Sequence, residues 1–534
     1  MTVLAQPSAP PSVDPPAHRW AALAVLCSSV VIVNLDNTIL NVALPTLVRT
    51  LHATSSQLQW IVDSYAMVFA GLVLVGGSLA DRFGRKRFFL IGLTTFAAGS
   101  VGAALSGSVD LLIACRALMG VGAALTMPAT LSIINDIFRD AAERARAIGA
   151  WAGSAGLGLA IGPIAGGLLL ARFWWGSVFL VNVPIVVAGL IGASLLVPDS
   201  KNPTAARPDP TGAMLSITGL GLLLWAIIEA PTLGWTSGTV IMVGAASIVV
   251  LGSFVAWEAR SRHPMLKLGF FRDRRFSFAA AGESLGIFGL IGTLFVQTQF
   301  LQFDLAYSPL QAGVRILPTA ITLVVTAAAA PIVARLIGVK LTVAAGLTAI
   351  AAGLWQISTV SSVSTTYGQV VVGLLLIGLG AGLLMPTATN SVVGSVPQGD
   401  AGVGSATNVV AIQVGGALGV AVVGSVLSTR YQDHMRAALA GHHVPPAVTH
   451  SILGSLGGAL VVAGKAGGAT GIMLAHAARV AFMSGAKTAL AVGAAVALAG
   501  AVLVLARLPS RTLGWTKAAP ALSEEQEVMS RDVP

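Results

Sequence analysis

The sequence predicts an all-α membrane protein in which two parallel six-helix bundles flank two inserted helices. Three observations predict this fold: the composition, fourteen long apolar segments and an internal repeat. Of the 534 residues, 55% are hydrophobic and only 10% are charged, and the mean hydropathy is +0.84. Soluble domains carry about 25% charged residues. A chain this poor in charge cannot cover a water-facing surface, so most of it is expected to face lipid.

The basic residues follow the loops between the apolar segments. The chain has 31 Lys and Arg against 21 Asp and Glu, a net charge of +10. A basic surplus is also typical of nucleic-acid-binding proteins, but charges in short loops between apolar segments set membrane topology instead. We therefore expect no nucleic-acid partner. The two cysteines, Cys27 and Cys115, lie inside apolar segments and predict neither a disulfide framework nor a metal site.

Fourteen segments are long enough to cross a membrane, because a spanning helix needs about 20 mostly apolar residues. Numbered in chain order, spans 1 to 14 are predicted at residues 20–43, 58–79, 88–106, 109–134, 147–170, 177–197, 212–231, 238–257, 276–300, 310–334, 340–359, 367–392, 404–427 and 484–506. In the loop before span 14, the apolar patch at residues 457–462 is too short to span, and an interfacial segment is expected there.

The predicted domains follow from the order of the spans. Spans 7 and 8 separate two groups of six and are interpreted as an insertion between two bundles. The predicted boundaries are a disordered cytoplasmic tail at 1–19, an N-terminal six-helix bundle at 20–197, a linker with the two inserted helices at 198–275, a C-terminal six-helix bundle at 276–506 with a long outer loop at 428–483, and a cytoplasmic tail at 507–534.

The distribution of Lys and Arg predicts the orientation of the chain. If the N-terminus is cytoplasmic, the inner segments carry 22 of the 31 basic residues and the outer segments carry 8. Four of those 8 lie in the long loop and Lys487 lies at the outer end of span 14, so the rest of the outer side keeps only Arg49, Arg172 and Arg315. By the positive-inside rule, both termini are predicted to be cytoplasmic. The expected location is the inner (cytoplasmic) membrane of a cell.

Two echoes within the sequence predict that the bundles are parallel repeats. Residues 120–128 read GVGAALTMP and residues 378–386 read GLGAGLLMP, with six of nine positions identical at an offset of 258. Two pairs of similar segments are separated by nearly the same number of residues. Apolar composition alone does not predict such a constant separation, so an internal repeat is the better explanation. Parallel halves with a substrate site at their midplane interface are a transporter design. The second echo, at an offset of 254, pairs residues 84–86 and 92–93 with residues 338–340 and 346–347.

A charged motif, GSLADRFGRKR, follows span 2 at residues 77–87. Gly84 permits a close bend, and Asp81 can accept hydrogen bonds near helix ends. The full pattern resembles the loop 2–3 signature of the major facilitator superfamily. By that resemblance, Asp81 and Arg85 belong to an intracellular charge network that latches the outward-facing state, with Asp136 as candidate partner of Arg85. The implied conformational-switch residues are Gly77, Asp81, Arg82, Gly84, Arg85, Lys86 and Asp136.

Four further motifs resemble the same superfamily, and the resemblance covers residues 20 to 427. LDNTILNVALP at 35–45 is similar to the span-1 motif of the fourteen-helix drug:proton antiporter family. RALMG, which begins at Arg116, resembles the buried-arginine motif of span 4, and FLVNVP at 179–184 is typical of fourteen-helix exporters. GPIAGG at 162–167 resembles the span-5 motif of antiporters. The resemblance implies the major facilitator fold, proton antiport and alternating access.

The span-5 motif also has a physical interpretation. Pro163 cannot donate a backbone hydrogen bond, and the glycines around it allow a bend and tight packing. Such a helix can seal or flex a cavity during alternating access. The alternative is ordinary packing of small residues. Gly162, Pro163, Gly166 and Gly167 are therefore further candidate switch residues.

Two aromatic segments indicate a subgroup within the family. WIVDSY at 60–65 and WGSVF at 175–179 look most like exporters of quaternary ammonium compounds and methyl viologen. Those proteins place acidic residues in span 13. The matching segment here has Asn408 and Gln413, so the acidic residues of those exporters have no counterpart at these positions.

Three ionisable residues fall in the outer half of the predicted membrane. Asp36 in span 1, Arg116 in span 4 and Asp63 in span 2 lie about 14, 10 and 8 Å from the outer ends at 1.5 Å of rise per residue. Ionisable residues in lipid are costly and are functional candidates by default. For Asp63 the alternative is a carboxylate near the interface that reaches water.

Our hypothesis is that Asp36 is the main proton carrier and that Arg116 tunes it. Burial disfavours a charged carboxylate, whereas a neighbouring guanidinium favours it. These opposing effects can bring protonation into the range that reversible transfer requires. The alternative is a fixed structural ion pair. Antiport follows if a cationic drug and a proton compete for one carboxylate.

Further candidates for the substrate site come from other spans. Glu283 in span 9 is a second candidate for substrate charge, with an interfacial carboxylate as the alternative. Met127 and Met385 recur at equivalent repeat positions and could form an adaptable apolar wall, with plain packing as the alternative. The candidate substrate-binding residues are Asp36, Asp63, Glu283, Asn408, Gln413, Met127 and Met385.

These observations predict a proton-coupled antiporter that exports hydrophobic or amphipathic, often cationic, compounds. The alternative within transport is a dedicated exporter of one endogenous metabolite or antibiotic, which the motifs do not separate from it. A nutrient importer is disfavoured by the span-5 antiporter motif. The sequence has no P-loop, zinc-binding His cluster or nucleophile elbow. We therefore expect no enzyme activity, no cofactor and no use of ATP as the energy source. A receptor or structural protein would accumulate no substrate.

Overall fold

The structure, a computed structural model, describes residues 18–201, 208–261, 264–397 and 401–510. Within these residues the chain is almost entirely helical and contains no strand. The two predicted tails, 1–19 and 507–534, fall almost wholly outside the described residues. The described chain is therefore the membrane-embedded part that the apolar segments predict.

Fourteen helices of the described chain are long and apolar enough to cross a membrane, one for each predicted span. They are Arg19–Leu51, Ser55–Phe83, Arg85–Ala104, Val109–Ile137, Ala142–Arg172, Ser177–Leu196, Pro210–Leu233, Gly238–Arg260, Arg274–Asp304, Pro309–Ile337, Val339–Val360, Tyr367–Gly394, Gly402–Leu439 and Gly468–Arg507. We keep the names span 1 to span 14 for them. Because the number is even, the described chain begins and ends on one side, here called the inner side.

The connection between spans 13 and 14 differs from the predicted loop at 428–483. Span 13 continues to Leu439 and span 14 begins at Gly468, so the connection is residues 440–467. Hydropathy ends a span where polar residues begin, but a helix can continue beyond lipid with its charged side chains in water. The connection contains two short helices, Pro446–Gly454 and Leu456–Ala466, and the second includes the apolar patch predicted to be interfacial.

The internal repeat reappears in the way the helices pack. In the N-terminal half, a Cβ added to Gly122 of span 4 would lie 2.7 Å from the carbonyl oxygen of Gly92 in span 3. In the C-terminal half, a Cβ on Gly380 of span 12 would lie 2.4 Å from the carbonyl oxygen of Gly346 in span 11. The sequence echoes pair these same positions. The two halves are therefore parallel repeats built on matching backbone contacts.

The tight turns after spans 2 and 10 repeat in the same way. Gly84 has a φ of 121° and Gly338 has a φ of 86°. Both angles lie in the left-handed region, which glycine adopts without the steric cost of a Cβ. Each turn places the next helix antiparallel to the one before it, as a six-helix bundle requires.

The inserted span 7 lies against both halves. The Ser425 hydroxyl of span 13 donates to the carbonyl oxygen of Ile227 at 2.7 Å, and the Trp60 indole of span 2 donates to Glu229 at 3.2 Å. Apolar residues of spans 2, 7 and 13 form one small cluster around Ala70. Span 8 packs on span 7 and exposes most of its surface. The insertion is thus attached along the boundary between the halves.

The two halves also contact each other directly on the outer side. The Gln302 side chain at the outer end of span 9 donates to the carbonyl oxygen of Val42 in span 1 at 2.9 Å. A Cβ on Gly313 of span 10 would lie 2.1 Å from the carbonyl oxygen of Pro163 in span 5. Spans 5 and 10 therefore touch backbone to backbone, and the outer side is closed.

Candidate functional site

A small cavity lies between the two halves. Spans 1 and 5 of the N-terminal half and spans 9 and 10 of the C-terminal half form its walls. Its polar lining residues are Thr38, Asn41 and Thr319, and the others, such as Leu290 and Pro163, are apolar. Apolar walls with a few oriented polar groups are typical of small-molecule sites. The position matches the midplane interface that the repeat predicts.

Two oxygen atoms at the cavity are available as hydrogen-bond acceptors. The Asn41 amide nitrogen donates to the carbonyl oxygen of Asn37 at 2.8 Å, which leaves Asn41 Oδ1 without a partner. Thr319 Oγ1 also has no partner in the described chain. Buried polar atoms without partners carry a desolvation cost. A bound molecule that donates hydrogen bonds would remove that cost.

Asp36 and Arg116 form a buried ion pair, as their predicted depths suggest. Both side chains are 0% exposed, and Arg116 Nη1 donates to Asp36 Oδ2. Asn182 of span 6 donates to the other carboxylate oxygen at 3.1 Å. Arg116 Nε donates to the carbonyl oxygen of Ile61 at 3.1 Å, and its Cζ lies 4.5 Å from the centre of the Tyr65 ring. The pair is therefore held by four helices of the N-terminal half.

Asp36 does not line this cavity, and its predicted contact with substrate stays a prediction. Span 1 contributes Thr38 and Asn41 to the cavity, whereas Asp36 is enclosed within the N-terminal half by Arg116 and Asn182. The sequence gives the depth of Asp36, but the rotation of span 1 is set by packing. The proton-carrier role of Asp36 stays a prediction.

Asp63 is fully buried, so the alternative of a carboxylate reaching water is wrong. Neither carboxylate oxygen has a hydrogen-bond partner in the described chain. Asp63 therefore makes no hydrogen bond with Arg116, the residue that pairs with Asp36. Asp63 shares a face of span 2 with Trp60 and Met67, which pack toward spans 7 and 13. This face lies at the boundary between the halves, and Asp63 forms no ion pair with Arg116.

Glu283 is also fully buried, so an interfacial carboxylate is wrong for this residue too. Thr389 of span 12 donates to Glu283 Oε1 at 2.7 Å, and Asn408 of span 13 donates to Thr389 Oγ1 at 3.3 Å. The structure thus brings together two predicted residues, Glu283 and Asn408. Gln413 lies more than one turn further along span 13 and is not part of this cluster.

Met127 and Met385 do not line the cavity. Both are partly buried and pack against the main hydrophobic core. Their repeat-related positions on spans 4 and 12 face neighbouring helices. For these two residues the structure shows packing, and the predicted substrate-binding wall stays a prediction.

The charged motif after span 2 makes the contacts predicted among Asp81, Arg85 and Asp136, and its role as a latch of the outward-facing state stays a prediction. Arg85 Nε donates to Asp81 at 2.6 Å, and Arg85 Nη1 donates to Asp136 at the inner end of span 4. Lys86 donates to the carbonyl oxygen of Ser194 in span 6 at 2.9 Å. All of these partners belong to the N-terminal half. In this state the network ties together spans 2, 3, 4 and 6.

The remaining residues of that motif have packing contacts. The Arg82 guanidinium lies 5.7 Å from the centre of the Phe83 ring. A Cβ on Gly77 would lie 3.4 Å from Cβ of Pro128 in span 4, an ordinary contact distance. Gly77 therefore lies beside span 4 without needing to be glycine.

The span-5 motif joins three helices. A Cβ on Gly162 would lie 1.9 Å from Thr38 Oγ1, and one on Gly166 would lie 2.8 Å from the Ile39 side chain, both on span 1. A Cβ on Gly167 would lie 2.6 Å from Cα of Leu310 on span 10. Span 5 is thus packed between the halves on the outer side, as a sealing helix requires.

Several polar residues of the site are missed by sequence reasoning. Asn182 lies within the FLVNVP motif at 179–184, but the motif predicts no role for it. Asn41, Thr319 and Gln302 are likewise unassigned. The available signal is a polar side chain inside an apolar span, which is costly unless it has a partner. That signal identifies candidates and leaves their partners unknown.

Comparison with known proteins identifies the family. The sequence profile of the Major Facilitator Superfamily matches residues 26–420. The chain belongs to the major facilitator superfamily. Similar members include the "Multidrug efflux pump LfrA" of Mycolicibacterium smegmatis, 36% identical over 93% of this chain and 97% of that protein. The "Methyl viologen resistance protein SmvA" of Salmonella typhimurium is 31% identical over 78% of this chain and 84% of that protein.

A solved structure shares the superfamily fold. It is a bacterial homolog of the human lysosomal transporter Spinster, with a TM-score of 0.63 and 15% identity over 92% of this chain and 96% of that chain. The predicted fold and the resemblance to methyl viologen and multidrug resistance exporters are confirmed. The chain is a multi-pass membrane protein of this superfamily.

Proposed function

We propose that the protein exports hydrophobic or amphipathic drugs across the cytoplasmic membrane in exchange for protons, by alternating access. The observation that carries this proposal is the largely apolar cavity at the interface of two parallel halves that are closed on the outer side. Relatives named as a multidrug efflux pump and a methyl viologen resistance protein support the direction and substrate class. The positive-inside distribution supports cytoplasmic termini.

The cavity favours substrates that are mainly apolar. None of its lining residues in the described chain is charged. Contact with the leucine and isoleucine walls supplies the binding free energy, at about 25 cal/mol for each Å² of apolar surface removed from water. Asn41 and Thr319 orient substrates that carry hydrogen-bond donors, including amphipathic cations with N–H groups.

Asp36 carries the coupling proton in this proposal. While Asp36 is ionised, Arg116 balances its charge and Asn182 holds its second oxygen. Protonation of Asp36 weakens its attraction to Arg116, and this frees spans 1 and 4 to shift relative to each other. The proton gradient supplies the drive, because each charge that crosses 100 mV releases about 2.3 kcal/mol.

Inverted membrane vesicles test this function with a fluorescent drug. Wild type is expected to accumulate the drug when the proton gradient is present and to lose accumulation when an uncoupler is added. Asp36→Asn keeps the shape of the side chain, and its gradient-driven uptake is expected to be at least tenfold lower than that of wild type. Asp110→Asn, at the exposed first turn of span 4, is the matched control and should transport normally. Full gradient-driven transport by Asp36→Asn would rule out the carrier role.

The same vesicles separate multidrug export from a dedicated exporter. A panel of unrelated amphipathic dyes and antibiotics is expected to compete with one another for uptake. Transport of a single compound, with no competition from the others, would instead support the export of one metabolite.

A further inference from the structure

The buried carboxylate of Glu283 is held by neutral groups of two other helices. Thr389 donates to Glu283 Oε1 at 2.7 Å, and Asn408 donates to Thr389 at 3.3 Å. Glu283 Oε2 and Asn408 Oδ1 are both buried and have no hydrogen-bond partner in the described chain. The cluster joins spans 9, 12 and 13, and it leaves two acceptor oxygens unsatisfied.

Among the described residues no cation pairs with this carboxylate, in contrast to the ion pair in the other half. Asp36 has Arg116 as its partner, whereas no described Lys, Arg or His lies within 4.0 Å of Glu283. An isolated buried carboxylate is strongly disfavoured, and such groups become neutral by taking up a proton. Charge balance therefore favours a protonated Glu283 in the arrangement of helices described here.

Charged groups on the neighbouring helices lie toward the helix ends. Val343 of span 11 and Val504 of span 14 pack beside Gly282, the residue before Glu283. At this depth both neighbouring helices therefore present apolar side chains. The nearest charged groups along the neighbouring helices are Lys340 and Arg507, on the inner ends of spans 11 and 14.

The other packed elements place their titratable groups still further away. Arg274 and Arg275 are at the inner end of span 9 itself, with Arg272 just before them. Spans 12 and 13 carry theirs at the outer ends, namely Tyr367, Arg430, Tyr431, Asp433, His434 and Arg436. Glu283 is therefore the one titratable group at its own level among the described residues of these helices.

The position of Glu283 connects it to the cavity. Glu283 is seven residues before Leu290, which lines the cavity, so the two lie on one face of span 9 about two turns apart. Glu283 is on the inner side of the cavity, opposite the closed outer contacts. The half-buried Thr389 lies beside it on span 12, and the next residue, Asn390, is exposed. Glu283 and its partner Thr389 therefore lie between the cavity and the inner ends of spans 9 and 12.

We propose that Glu283 is a second proton-binding site, located in the C-terminal half and discharged toward the inner side. This inference rests on the proposed proton-coupled export. In the step itself, the O–H bond at the Glu283 carboxyl breaks as substrate enters from the inner side, and the proton passes to water there. After the substrate has left on the outer side, the carboxylate takes up one proton from the outer water, and the protonated, empty protein then returns. Thr389 and Asn408 are positioning residues that hold the carboxyl group.

Proton release by purified protein tests this site directly. In weakly buffered detergent with a pH indicator dye, addition of a neutral drug is expected to release protons from wild type. Glu283→Gln keeps the size and the contact with Thr389, and it should lower the number of protons released per bound drug by close to one. Drug binding and energy-independent exchange across vesicles should stay within twofold of wild type, while gradient-driven accumulation falls at least tenfold. Glu229→Gln, on span 7, is the matched control and should behave as wild type.

A second variant keeps the test valid if Glu283→Gln folds poorly. Glu283→Asp retains an ionisable group and is expected to restore proton release that Glu283→Gln lacks. Proton release equal to wild type in folded Glu283→Gln would overturn the proposal. Selective loss of binding for a cationic drug, with neutral drugs unaffected, would also overturn it, because Glu283 would then bind substrate charge. If wild type itself releases no protons and ignores the gradient, the proposed function fails instead.

Discussion

Arg116 is the residue whose environment most constrains its chemistry. Its guanidinium is fully buried among Asp36, the Ile61 carbonyl and the Tyr65 ring, and Nη2 has no partner in the described chain. Removing one partner of a buried ion pair leaves the other charge uncompensated, whereas removing both can be nearly neutral. The pair is therefore either kept together or replaced as a unit.

Replacement of Arg116 by Met should destabilise the protein by about 3–5 kcal/mol, because Asp36 would remain as a buried, uncompensated carboxylate. The double variant Arg116→Met with Asp36→Asn should recover most of that loss. Thermal unfolding in detergent, followed by tryptophan fluorescence, measures the effect. A double variant no more stable than Arg116→Met alone would mean that the charge pair is not the cause.

The sequence identifies the ionisable residues of the site but not their partners. Asp36, Arg116 and Glu283 are identifiable as ionisable groups within apolar spans. Their partners are not, because Asn182 and Thr389 come from helices far away in sequence and are ordinary polar residues. Burial without a cation, the feature that distinguishes Glu283 from Asp36, becomes visible only in three dimensions.

At the scale of helices, glycine determines how closely neighbours approach. Gly122 and Gly380 each place a helix backbone directly against another backbone, at equivalent positions of the two halves. Close approach through small residues is the main route to helix association in lipid, where burial from water contributes little. The repeat in the sequence is thus a repeat of contact positions.

Substitution of Gly122 by Ala tests this packing. A Cβ there would lie 2.6 Å from the backbone nitrogen of Phe96, so spans 3 and 4 must separate. Overpacking of this kind costs about 1–3 kcal/mol. Gly153→Ala in span 5 is the matched control, since nothing lies within 4 Å of its added Cβ, and the gain in helix propensity should leave it at least as stable as wild type. Equal thermal midpoints for the two variants would contradict the packing account.

At the scale of the whole molecule, the outer closure depends on contacts between spans 5 and 10. Gly313 lies against the carbonyl oxygen of Pro163, and Gly167 lies against the backbone of Leu310. Such contacts form only in the state that is closed on the outer side. A larger side chain there raises the free energy of this state and leaves the outward-open state less affected.

We expect Gly313→Val to shift the population toward the outward-open state by at least tenfold, because its Cβ would lie 2.1 Å from a backbone oxygen. Spin labels on cysteines at Arg172 and Gln311, in a variant without Cys27 and Cys115, measure the distance between the outer ends of spans 5 and 10. Gly368→Val, where nothing lies within 4 Å, should keep the wild-type distance distribution. An unchanged distribution in Gly313→Val would show that this contact does not hold the outer side closed.

The sequence alone determined the membrane class, the fourteen spans, the parallel repeat and the Arg85–Asp136 contact. These features are local or periodic: an apolar run is long enough to span, and a recurring motif repeats a packing position. Only the tertiary structure decided that Thr38 and Asn41 face the cavity while Asp36 faces the interior of its own half. The physical reason is that helix rotation depends on close packing against several neighbours at once. Because a helix in lipid has no polar, water-facing side opposite an apolar one, the hydrophobic pattern of the sequence does not reveal its rotation.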